Sequence, residues 1–286
     1  MKIFRKIFLA CVLTSFISSC SQNKSQYNDL LKLNLKGDIK QIKQFTYVAI
    51  EKFGVIQKGE IQPNIFFPEN QNMILVFEND GYIKEKQNFD NAGVYNGKII
   101  NNYNEQKIII SVIGYDNKGN IDYSQKGIYD ADKMTVKSII NYSKDYSVQT
   151  IDYYDNSNRK IKIDWFREDG KLSSRTIFKY DKKGNIIEEN IYTSDGKLYS
   201  KNQNIFNNEG YKIEKITSND SGQKNEYFKY DDFGNIIEEY SNKPGILVNK
   251  YIYKYKYDSK NNWIERVSYI NGELPVDFTE RNIEYN

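Results

Sequence analysis

The chain has 286 residues, 39% of them hydrophobic and 28% charged, with 41 Lys and Arg against 38 Asp and Glu, two cysteines and no histidine. A chain without histidine cannot build a Ser-His-Asp triad, a Cys-His pair, an HExxH zinc site or any His-ligated metal centre. The near balance of charge lacks the concentrated positive field with which nucleic-acid binders displace counterions, so no nucleic-acid partner is expected.

The first twenty residues join a basic start (Lys2, Arg5, Lys6) to an apolar run from Ile7 to Ile17 and then to small residues before Cys20. The run is shorter than a span of about 20 apolar residues and predicts a signal peptide over 1–19. Ile17-Ser18-Ser19-Cys20 resembles the lipobox of bacterial lipoproteins, with isoleucine where leucine is commoner. The resemblance implies that Cys20 is lipidated and that Cys11 departs with the signal, leaving a mature chain without disulfide or thiolate chemistry. Three basic residues depart too, so the mature chain carries 38 charges of each sign. Three acyl chains at about 0.8 kcal/mol per buried methylene make a permanent membrane anchor. Ser21, and the lack of an acidic run over 21–25, imply an outer-membrane lipoprotein facing the periplasm.

Residues 20–29 read as lipidated cysteine and polar tether, and 30–286 as one β-repeat domain. A short helix is possible over Tyr27 to Leu33. Leu35-Lys36-Gly37-Asp38 then predicts a turn feeding a long strand from Ile39 to Ile50, which is rich in β-branched and aromatic residues. Gln62-Pro63 and Phe67-Pro68 mark 57–70 as a loop or edge segment, because proline cannot donate to a sheet ladder. Met73 to Phe77 and Tyr82 to Phe89 flank Asp80-Gly81, a hairpin signal. Similar signals recur at Asp169-Gly170, Asp195-Gly196 and Asn271-Gly272.

Glycine-centred turns at 170, 184, 196, 210, 222 and 234 set the rhythm of an antiparallel β-meander. Over it lies a longer unit: Tyr180-Asp181-Lys182-Lys183-Gly184-Asn185-Ile186 returns as Tyr230-Asp231-Asp232-Phe233-Gly234-Asn235-Ile236, with weaker copies beginning at Tyr115, Tyr154 and Tyr257. Aspartate is suited to cap such a turn, Gly or Asn to take its left-handed position, and Tyr and Ile to begin the flanking strands. The unit resembles the YD-repeat (Rhs-like) family over about 110–265. The resemblance implies β-architecture and says little of function. At about 13 residues per strand and turn the chain holds up to about nineteen strands, more than an open sheet carries without curling, closing or stacking. The expected fold is all-β, a long antiparallel meander forming a curled or spiral sheet. A propeller with four-stranded blades is the alternative, because the fifty-residue return equals four strands.

Little in the chain carries chemistry. Glu188-Glu189 and Glu238-Glu239 suggest a carboxylate hydrolase, but neighbours on a strand face opposite ways and cannot flank one bond. They read as solvated strand positions. No catalytic residue, metal site or cofactor is expected, since no stretch has EF-hand spacing and lysines stand where extra oxygen ligands would be needed. Aromatics make up 15% of the chain, 25 of them Tyr. Tyr251, Tyr253, Tyr255 and Tyr257 share one strand face, with Lys254 and Lys256 on the other. With Trp263 at a rim they form a candidate glycan- or peptide-binding surface, although such rows also stabilise sheets. Trp165, following Ile161 and Ile163, reads as core. The chain is therefore expected to be a non-catalytic, lipid-anchored envelope protein, a scaffold or binding surface for an envelope protein or glycan partner.

Overall fold

The computed structural model describes residues 28–61, 72–142, 146–242 and 250–286. The signal peptide, Cys20, residues 21–27 of the tether, Pro63 and Pro68 lie outside them. Among the described residues one helical turn, α1 (Asp29–Lys32), is followed by nineteen strands: β1 (Ile39–Lys52), β2 (Val55–Ile61), β3 (Met73–Phe77), β4 (Ile83–Phe89), β5 (Tyr95–Tyr103), β6 (Ile109–Tyr115), β7 (Ile121–Asp130), β8 (Thr135–Tyr142), β9 (Tyr146–Tyr154), β10 (Lys160–Phe166), β11 (Leu172–Tyr180), β12 (Ile186–Thr193), β13 (Leu198–Phe206), β14 (Lys212–Asn219), β15 (Gly222–Tyr230), β16 (Ile236–Asn242), β17 (Lys250–Tyr257), β18 (Trp263–Ile270) and β19 (Leu274–Tyr285). Strand number and turn positions match the glycine rhythm.

From β3 to β19 each strand pairs antiparallel with the next, and both ends of this meander meet β1. Ile42 of β1 stands opposite Leu75 of β3 and Ile283 of β19. The sheet is therefore a closed barrel of eighteen strands, with β2 forming a hairpin on the far half of β1. This corrects the expected curled or spiral sheet, and equally the propeller: among the described residues the ladder from β3 to β19 runs without a blade boundary, and both its ends pair with β1. Twist accumulated over so many strands brings the ends together, and closure pairs the two rows of edge N–H and C=O groups that a spiral leaves open.

The turns repeat one geometry. Asp181 N donates to Asn185 O at 3.0 Å and Gly184 N to Asp181 O at 3.2 Å, with Gly184 at φ 91°. Asp181 Oδ1 accepts from the backbone of Lys183 and Asn185, and its Oδ2 from Asn185 Nδ2 at 2.8 Å. Asp116 and Asp231 repeat the backbone bonds, and Asn158 and Asn261 supply the positive φ where glycine is missing. Each turn is followed by a register shift, so the strand leaving it is bulged and twists more strongly.

Burial alternates along β8, where Val136, Ser138 and Ile140 are buried and Lys137, Ile139 and Asn141 exposed. The pairing register carries that buried face round the barrel through Thr150, Thr176, Ser200, Ser268, Thr279 and Thr46. Side chains converge on the concave side of a closed sheet, so this is the inner wall, and it is largely polar. The buried apolar cluster sits at one end, where Leu35, Ile39, Ile42, Leu75 and Phe77 pack with Leu30 and Leu33 from the segment around α1. Asp29 and Leu30 donate to Gly81 O at 3.0 and 3.1 Å, so residues 28 and 29 belong to the folded body and not to the tether. Asn34 Nδ2 reaches Phe233 O at 2.9 Å, laying this segment across part of the barrel end. Eighteen strands enclose a wall wide enough for an aqueous lumen.

Candidate functional site

The tyrosine row lies on the inner wall. Tyr253 stands opposite Ser268 and Tyr255 opposite Arg266, both inward, while Lys254 and Lys256 point outward as expected. The bulge between Lys256 and Tyr257 turns Trp263 inward as well, beside Tyr255 at 5.8 Å between ring centroids. Trp263 is 8% exposed and Tyr253 4%, so Trp263 is a wall residue and not a rim residue. Trp165 shares the inner face with Ile163 but is only half-buried, and a register shift at Lys160 turns Ile161 outward.

The tyrosine hydroxyls stitch hairpin to hairpin. Tyr103 donates to Ile83 O at 2.9 Å, Tyr180 to Lys160 O at 2.6 Å, Tyr230 to Lys212 O at 2.7 Å and Tyr255 to Ile236 O at 2.6 Å. Each reaches the last hairpin's first carbonyls, beyond the bulge where the ladder is interrupted. In β13 the corresponding residue is Phe206, which has no hydroxyl; Asn204 donates to Ile186 O at 2.8 Å instead. Tyr257 adds a short bond to Asp231 of the neighbouring turn. Burial pushes the phenols of Tyr180 and Tyr255 up to about 12, so they remain donors.

Two arginines that sequence reading passed over join this wall. Arg266 lies over Tyr253 and Trp263, 5.2 and 5.4 Å from their centroids, and Arg281 covers the Trp263 ring at 3.4 Å. Arg281 Nε donates to Gln44 Oε1 at 2.9 Å, and Gln44 is 1% exposed. The inward alternation of β18 and β19, extended one strand at a time from the tyrosines, is the signal that locates them.

The glutamate pairs divide between the faces. Glu188 and Glu238 point outward, each between two lysines: Lys179 and Lys201 at 2.6 and 3.1 Å, Lys229 and Lys250 at 3.0 and 2.8 Å. At 14% and 16% side-chain exposure they are clamped in ion triads, a correction to the solvated positions expected. Glu189 and Glu239 point inward, Glu239 accepting from Tyr253 at 2.8 Å. Four strands separate them, roughly 19 Å along the wall, too far for paired carboxyl catalysis. Among the described residues no three His, Cys, Asp or Glu side chains converge as metal ligands. Two shallow grooves flank the β1–β2 hairpin outside, of about 530 Å³ by Phe45, Tyr47 and Glu280 and about 350 Å³ by Val55, Val267 and Phe278.

Fold and wall together define a closed antiparallel barrel, aromatic and polar on its inner face and carrying ion pairs on its outer face. No protein-family model matches the chain, and no curated protein does. Among solved structures it is similar to a porin-like protein from Bacteroides uniformis ATCC 8492, with 9% identity and a TM-score of 0.48 over 86% of this chain and 96% of that one. A porin-like protein from Bacteroides vulgatus ATCC 8482 is similar at 11% identity and a TM-score of 0.27, over 87% and 98%. A TcdB2-TccC3-Cdc42 structure is similar at 11% identity and a TM-score of 0.25, over 72% of this chain and 14% of that one.

Proposed function

We propose that this is a non-catalytic, lipid-anchored protein of the cell envelope, an outer-membrane lipoprotein whose YD-like barrel stands in the periplasm and offers a binding surface to another envelope component. The observation that carries this is the charge on the outer wall. A barrel embedded in lipid turns an apolar band outward, and each Lys or Arg at the bilayer midplane costs about 2–4 kcal/mol. Here the outer wall carries Glu85 with Lys98, Asp164 with Arg175, the Glu188 and Glu238 triads, Lys256 with Glu265, and Lys40 with Glu284. These pairs lie on β1, β4, β5, β10 to β13 and β15 to β19, so most of the wall suits water and the membrane attachment falls to Cys20.

Asn28 lies at the barrel end formed by the 78–82 turn, so the eight residues from Cys20 to Tyr27 hold this end within roughly 30 Å of the bilayer. Phase separation in detergent tests the anchor: the protein should enter the detergent phase, and Cys20→Ala should move it to the aqueous phase. Aqueous partition of the unaltered protein, or channel activity of the Cys20→Ala protein in planar bilayers, would refute the proposal. A glycan- or peptide-binding module is the second reading, favoured by the continuous inward row of Tyr251, Tyr253, Tyr255 and Tyr257. Retention on an immobilised envelope glycan, lost in Tyr251→Ala with Tyr257→Ala, would support it.

A further inference from the structure

We infer that the outer face of β6 to β9 is a lipid-docking surface, which lies against the headgroups of an anionic bilayer and lays the barrel on its side next to its anchor. This goes beyond the binding-surface reading above, and only the nearness of the bilayer rests on lipidation of Cys20.

These four strands are the sector that the outer ion pairs leave out. The pairing register sets Lys126 opposite Ile139, and Ile128 opposite Lys137, which stands opposite Ile151 in turn. Ile109 lies two residues before Ser111, the partner of Lys126, so it stands beside Ile128 on the same face. Ile128 is 78% exposed, and Ile109 and Ile139 are exposed as well. The stretches 109–113, 124–128, 137–141 and 147–151 hold two lysines and no acidic residue. Lys126 and Lys137 are both exposed, and among the described residues neither forms an ion pair, whereas Lys179, Lys201, Lys229 and Lys250 share carboxylates elsewhere on the wall. Asp130, at one edge of the face, is held by Lys133 at 3.0 Å, and Asp122 sits on the bulge at the other edge.

Exposed isoleucines between unpaired lysines meet both demands of a lipid surface, apolar area for the acyl boundary and cations for anionic headgroups. A second copy fits poorly: pairing this face with itself about a two-fold axis gathers four lysines with no acid to offset them. The face is also confined to four strands of the ring, so it suits a barrel lying on the bilayer and not one that crosses it.

Position agrees with chemistry. Lys107, in the turn before β6, reaches Glu78 at 3.0 Å, and the turn after Glu78 accepts from Asn28 at 2.8 Å. Strand β6 therefore starts beside the point where the tether joins the barrel. The mature chain carries 38 charges of each sign, so no net charge draws it to lipid and the local arrangement decides which side turns to the bilayer. A weak face becomes effective there because an anchor makes its binding intramolecular.

The full mature chain carrying Cys20→Ala isolates the face from the anchor. Vesicles of phosphatidylcholine mixed equally with phosphatidylglycerol should sediment this protein, and vesicles of phosphatidylcholine alone should carry down clearly less. Lys126→Glu with Lys137→Glu should weaken the partition by about tenfold or more, and Ile128→Ser with Ile139→Ser by about threefold or more. Lys182→Glu with Lys197→Glu, the same charge change at two exposed turns between β11 and β13, should leave it within about twofold. Absence of binding to the mixed vesicles, or equal losses in the two lysine pairs, would overturn the inference. So would a dimer in light scattering that Ile128→Ser with Ile139→Ser dissolves, because the face would then belong to a second copy. Every arm lacks the lipid, so these outcomes stand apart from the detergent partition that tests the anchor.

Discussion

Replacing Asp181 by alanine removes three bonds at once: two backbone N–H groups, of Lys183 and Asn185, and the side-chain amide of Asn185. Each bond to a charged acceptor contributes about 1.5–3 kcal/mol net when shielded, and a buried donor left without a partner adds a further desolvation cost. Asn185 is 1% exposed, so water cannot replace the lost carboxylate there. We expect Asp181→Ala to cost about 3 kcal/mol. Asp116 makes the same bonds in a turn at the other end of the barrel, but Asn120 is exposed and water can substitute. Asp116→Ala should therefore cost clearly less. Urea unfolding measures both: with a slope on the order of 3 kcal/mol per molar, the midpoint should fall by roughly 1 M for the first and by visibly less for the second. Equal shifts would show that the carboxylate bonds do not depend on shielding, and no shift in either would show that the turns are held by glycine conformation alone.

Glu188 gives a pH test. Its lysine partners, Lys179 first and then Lys201, hold its carboxyl down from 4.5 to about 2. A depressed folded value means the stabilisation is present above about 4.5 and is lost as pH falls toward 2; Glu188→Gln should flatten stability by about 1–2 kcal/mol across that window, read by urea midpoints at pH 5 and pH 2.5. Tyr255→Phe leaves the Ile236 carbonyl without its hydroxyl donor and should cost about 1 kcal/mol by thermal unfolding. Gly97 has φ 106°, and an added Cβ would fall 2.1 Å from Tyr115 O, so Gly97→Ala should cost more than about 3 kcal/mol or abolish folding, seen as loss of the near-ultraviolet circular dichroism signal.

Local chemistry made the turns and strands legible. Asp-x-x-Gly-Asn encodes its own bond pattern within five residues, so the turns at Asp181 and Asp231 form as expected. Closure was not legible, because it rests on β1 meeting β3 and β19, contacts between residues such as Gln44 and Arg281 that are 237 apart in the chain. The inner face was hidden for another reason. The buried face carries Thr46, Ser268 and Thr279, so alternation of apolar and polar residues no longer marks which way is in. Trp263 illustrates the limit: it reaches the inner wall through a bulge, and a strict two-residue period places it on the other face. The segment around α1 contributes Leu30 and Leu33 to the apolar end, a role that its polar surroundings concealed.

Cross-linking tests closure of the barrel most directly. Thr46 and Thr279 face each other between β1 and β19, their hydroxyls 3.1 Å apart, and Ile42 faces Leu75 between β1 and β3. Cysteine pairs at the two positions, each introduced into a Cys20→Ala mature chain and oxidised, should both form intramolecular disulfides by intact mass. Free thiols at either pair in folded protein would mean that β1 is not the seam joining the two ends of the sheet, and the closed barrel would be wrong.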